Sequence, residues 1–165
     1  MKLQPAFAPW YELRGMLRAD ASQLEGAVSD YTRALDLAGR QAPLLLLRGR
    51  ANAALGMLSE AVLDYTTLIE GSAAAHFAIG VEQLAELLQA RGSLLVKLGH
   101  RADATRDFLR SVDTGGGRAV LALPYTLKRL GWEIEADGQA SAELRRGISE
   151  CPVSRRCQPA EARRI

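Results

Sequence analysis

Two cysteines, two histidines and a scatter of carboxylates are the residues of this chain whose types could do chemistry. Cys151 and Cys157 have five residues between them, whereas a zinc site takes about two to four between neighbouring ligands and needs two more close by. His76 and His100 lie far away in sequence, so no metal site is expected. The cysteines read as two separate thiols, with a local disulfide as the alternative in an oxidising compartment. His76 falls in an inserted segment and His100 in a turn, places for surface residues rather than bases. No serine sits in a Gly-x-Ser-x-Gly elbow and no Gly-x-x-x-x-Gly-Lys loop is present. Gly115-Gly116-Gly117 does not follow a strand, so no phosphate cradle is implied. Glu133 and Glu135 alternate in a turn without a partner base. Nothing supplies a nucleophile, a base and an orienting group together. The expectation is a protein that is not an enzyme and holds no cofactor.

Composition supports that reading. The chain has 165 residues, 48% apolar and 24% charged, which is the make-up of one ordered domain. Aromatics are 5% and the net charge is +2, too few and too balanced for a base-stacking platform or a polyanion binder. No nucleic-acid partner is expected. Arg145-Arg146, Arg155-Arg156 and Arg163-Arg164 read as a solvated basic tail rather than a groove-reading helix. The N-terminal segment lacks the apolar run of a secretory signal, and no stretch is long and apolar enough to cross a membrane. Cytoplasm is the default location, or the cell envelope if the sequence is a mature form or a fragment.

Elements that could position a binding surface appear as a repeat. Arg14-Gly15, Ala27, Asp30-Tyr31-Thr32 and Leu35 recur 34 residues later as Arg48-Gly49, Ala61, Asp64-Tyr65-Thr66 and Ile69. A third copy runs through Arg91-Gly92, Ala104 and Asp107-Phe108, displaced by 43. In every copy glycine to alanine is 12 residues and alanine to aromatic is 4. A small residue within one helix lets a second approach, and an aromatic one turn beyond the matching alanine fills the space beside the crossing. Leu55-Gly56 and Leu98-Gly99 stop the first helices of copies two and three, since glycine suits a C-terminal cap. Copy one has Ala21-Ser22 there, and the bulky Arg18 nearby. Helices are expected near 8–20, 24–38, 43–55, 58–70, 78–98 and 101–113, with Pro43 in a first turn. The nine extra residues near 76–84 are expected to add two turns to the third copy's first helix, the alternative being a surface loop.

Arg-Gly, Leu-Gly, Ala and Asp-Tyr-Thr at this period resemble the tetratricopeptide repeat over roughly residues 8–114, without its closing proline. The resemblance implies an all-α solenoid of stacked antiparallel helix pairs that buries its left-over apolar faces by stacking. It also implies a concave groove lined by the first helices, which takes a peptide or partner helix and makes the protein a noncovalent scaffold. Spacing within the first helices nominates Glu12, Met16 and Asp20 in copy one, Leu46 and Arg50 in copy two, and Glu86, Gln89, Ser93 and Lys97 in copy three. The family's clamp for a chaperone C-terminal carboxylate uses Lys and Asn donors. The matching positions hold Glu12, Met16, Leu47, Glu86 and Ala90, which argues against it.

Gly115-Gly116-Gly117 divides a repeat domain, 1–117, from a cap region, 118–150, and a basic tail, 151–165. Leu121 to Leu130 has helical spacing around Pro124 and is the natural cap for a solenoid end. Leu127-x-x-Leu130-Gly131-Trp132 followed by Asp137-Gly138 also resembles, faintly, the small helical peptidoglycan-binding module. The link is one residue short and the closing Phe-Gln is missing. A cell-envelope glycan binder using residues 119–150 is therefore the alternative function. An uncovered N-terminal face, near Phe7 and Trp10, would favour a homodimer.

Overall fold

The computed structural model of the chain describes residues 7–74 and 76–114. The triple glycine, the cap and tail regions, Cys151, Cys157 and the peptidoglycan-like segment lie outside the described residues. All regular structure among the described residues is helical, and the chain divides into two compact units, Met1–Ala78 and Ile79–Ile165.

The first unit holds two helix hairpins. α1 (Ala8–Asp20) pairs with α2 (Leu24–Ala38), and α3 (Ala42–Leu55) pairs with α4 (Leu58–Ala73). The hairpins meet where α2 packs on α3. Pro9 and Pro43 sit in the first turns of α1 and α3, where a missing N–H costs nothing. The core between them gathers Ala27, Tyr31, Ala34, Leu44 and Ala51, with Tyr11, Ala19, Val28, Leu35 and Leu47 packed around it. The second unit contains α5 (Val81–Lys97) and α6, helical over 101–114.

Each hairpin turns in the same way. The N–H groups of Ser22, Gly56 and Gly99 donate to the carbonyls of Ala19, Ala53 and Val96, and those of Gln23, Met57 and His100 to Arg18, Asn52 and Leu95. This pair of hydrogen bonds closes a helix only if its turn residue is left-handed. Gly56 and Gly99 take φ of 79° and 83° without a Cβ penalty. Ser22 takes φ of 60° with one, so copy one makes the same turn under strain.

The insert departs from expectation. Val81 stands eleven residues before Gly92, whereas Ala42 stands seven before Gly49. The helix therefore gains about one turn, not two, and Ala78-Ile79-Gly80 are not helical. α4 itself ends at Ala73, one residue beyond the end of α2 carried forward by 34, and the other insert residues go into the link before α5. Phe77 folds back on α4, where a Cβ on Gly71 would strike its ring, and the Phe77 N–H donates to the Gly71 carbonyl. Docking that ring fixes the end of α4 and leaves fewer residues to extend α5.

Ser22→Gly should raise stability by about 1 kcal/mol, a few degrees in Tm. Thermal melting monitored by circular dichroism checks this, and a lowered Tm would contradict the strained turn.

Candidate functional site

The surfaces available for binding are held in place by what lies beneath them. At the crossing of each hairpin a glycine of the first helix faces an aromatic ring of the second. A Cβ on Gly15 would come 2.7 Å from Tyr31 Cε1, one on Gly49 2.8 Å from Tyr65 Cε1, and one on Gly92 2.8 Å from Phe108 Cε1. The partner of the glycine is thus the ring, not the alanine one turn earlier. Ala27, Ala61 and Ala104 are fully buried at the adjoining level. Burial raises the Tyr31 and Tyr65 hydroxyl pKa values above the usual tyrosine range. The Asp20 and Glu12 carboxylates add to the rise at Tyr31, whereas Arg50 opposes it at Tyr65.

Beside each glycine–ring contact lies a charged clamp that the spacing analysis missed. Arg14 Nε and Nη2 donate to Asp30 Oδ2 and Oδ1 at 2.9 and 2.5 Å. Arg48 grips Asp64 at 3.0 and 2.6 Å, and Arg91 grips Asp107 at 2.7 and 2.6 Å. Each is a bidentate fork sixteen residues apart, the geometry in which guanidinium suits carboxylate best. The signal was present in Arg-Gly and Asp-Tyr, where the charged residue precedes each half of the crossing. The three carboxylates are almost wholly buried, so they need these donors. Arg18 supplies Asp30 with a further bond of 2.8 Å and also reaches the Gly26 carbonyl. It thereby occupies the space a small residue would leave. Arg48 adds a link between hairpins, its Nη1 donating to Thr32 Oγ1 of α2 at 3.3 Å.

The residues nominated for the groove stay accessible to solvent. In the first unit Met16, Asp20 and Arg50 are exposed, and Glu12 and Leu46 half-buried. In the second, Glu86 and Lys97 are exposed, and Gln89 and Ser93 half-buried, the Ser93 hydroxyl donating to the Gln89 carbonyl at 2.8 Å. Leu47, in contrast, packs against the core. His76 and His100 are exposed. The first unit has open depressions of about 490 and 500 Å3. The second of these is bordered by Arg14 and Asp30, but their charges are held by each other rather than offered to a substrate.

Helix hairpins of one design, crossing at a glycine–ring contact and clamped by arginine and aspartate, define a tetratricopeptide-like helical-repeat fold. Among solved structures the chain is similar to MamA, a tetratricopeptide-repeat protein, at 13% identity and a TM-score of 0.64, covering 94% of this chain and 84% of that one. No family model and no curated protein matches the sequence. The likeness is one of fold. Among the described residues no helix is long and apolar enough to cross a membrane.

Arg48→Ala leaves Asp64 buried with only Asn52 Nδ2 near it, at 3.5 Å, and should cost about 3 kcal/mol. Arg14→Ala should cost about half as much, because Arg14 is 43% exposed and Arg18 remains on Asp30. Urea denaturation of the two variants checks the order.

Acidification tests the same clamp. The Arg14 fork holds the Asp30 carboxyl below its usual value of 3.8, against the upward push of burial. The resulting stability is complete above that usual value and is lost as pH falls through the lower folded one. Asp30→Asn should flatten this part of the acid limb in a pH series of denaturation curves.

Proposed function

We propose that the chain is a noncovalent scaffold that binds a peptide or helix of a partner protein on the exposed faces of its first helices. One observation carries this reading. The Arg, Gly, Asp and aromatic positions of each hairpin are committed to internal contacts, while Met16, Asp20, Arg50, Glu86 and Lys97 between them are left to solvent. The likeness to MamA supports a helical-repeat interaction module. A lining that mixes acid, base and small apolar residues suits a mixed-charge amphipathic segment better than a bare carboxylate.

The test is affinity capture from the native source, comparing the wild type with Arg50→Glu plus Lys97→Glu. Both side chains are exposed, so melting should be unchanged. Partners that require the groove should be depleted at least about tenfold. Undiminished capture of every partner by a folded variant would contradict the assignment of the binding face.

A further inference from the structure

Repeat geometry allows the outer face of α1 to be compared with a face whose covering is known. Shifted by one repeat, Trp10, Leu13 and Leu17 of α1 correspond to Leu44, Leu47 and Ala51 of α3. In α3 these residues lie against α2: Leu44 and Ala51 are 1% and 5% exposed, in one cluster with Tyr31, and Leu47 packs against that cluster. In α1 their counterparts are 44%, 49% and 62% exposed, with Phe7 edge-on to Trp10 at the same end. The polar part of the interface recurs as well. Arg48 holds Asp64 with Nε and Nη2 and donates Nη1 to Thr32 of α2. Arg14 holds Asp30 with the same two nitrogens, while its Nη1 donates to no group among the described residues.

We propose that the outer face of α1 is a docking surface for a helix of another protein that resembles the α3-facing side of α2. Its chemistry follows from α2: a threonine or serine hydroxyl to accept from Arg14 Nη1, flanked by an aliphatic residue four positions before and a leucine three after, as Val28, Thr32 and Leu35 stand. The surface is the one-repeat counterpart of the α3 side of the α2–α3 interface. It borders the nominated groove residues, Leu13 standing one heptad before Asp20, but it is argued from the α2–α3 contacts and stands without the groove reading. A second copy of the chain fits poorly. Its α2 already gives Thr32 to Arg48. Its α4 has Ile69 buried at the leucine position, and its α6 places Leu109 where the hydroxyl belongs.

The probe is a synthetic, helix-stabilised peptide with the sequence of residues 23–39, titrated into the full chain by fluorescence of Trp10 and Trp132 and by calorimetry. Saturable binding is expected. Leu17→Glu should weaken it at least tenfold without changing the melt, since Leu17 is exposed. Replacing threonine by the near-isosteric valine in the peptide should weaken binding several-fold for the wild type but not for Arg14→Ala, which has already lost the donor. Absence of binding would overturn the proposal. So would equal binding of the threonine and valine peptides, or equal affinity for Leu17→Glu. Sedimentation showing a dimer that Leu17→Glu dissolves would assign the face to a second copy instead. Retention on phosphatidylcholine vesicles lost in the same variant would assign it to lipid.

Discussion

The close approach of two helices at a glycine, with an aromatic ring laid across the missing side chain, is the contact on which the structure depends. It fixes the distance and rotation of each hairpin, and so decides which residues of the first helix turn inward and which face solvent. The three described instances use the same two positions, with a phenylalanine in place of tyrosine in the third. The hydroxyl is therefore secondary, and the flat apolar body of the ring does the packing.

Charge is arranged around that contact rather than spread over the surface. Each second helix carries an aspartate into the interior beside its ring, and burying a carboxylate alone is costly. The first helix answers with an arginine one residue before its glycine. Register is thereby specified twice, by shape at the glycine and by a fork of hydrogen bonds beside it. A slip of either helix would leave a buried anion unpaired. Arg48 also uses its remaining nitrogen locally, reaching Thr32 in the neighbouring hairpin.

Much of the fold was legible because repeats multiply weak signals. Glycine, alanine and aromatic at fixed spacing placed four of the six described helices to within a residue at both ends, and Leu-Gly marked two of the three turns. Ser22 was harder to see: its left-handed backbone is imposed by the hairpin, not by its own preference. The insert was misjudged because Ala78-Ile79-Gly80 looks continuous with the following helix, while the ring of Phe77 packing back on Gly71 is a tertiary contact without a local signature. The Arg–Asp clamps were in plain view as a constant spacing of sixteen, but opposite charges on two helices become partners only once the crossing is known. Candidate binding residues could be nominated from helical spacing alone, but not what would bind them, because solvent-facing positions carry no packing constraint to read.

Gly49 is small because Tyr65 lies on it, and a double-mutant cycle measures that dependence. Urea denaturation would give the stabilities of the wild type, Gly49→Ala, Tyr65→Leu and the double variant. If the contact is as described, Gly49→Ala costs about 1–3 kcal/mol in the wild type. It costs little or becomes favourable once the ring is gone, because alanine is the better helix former by about 1 kcal/mol, giving a coupling of about 1 kcal/mol or more. Equal effects of Gly49→Ala with and without the ring would contradict the glycine–ring crossing.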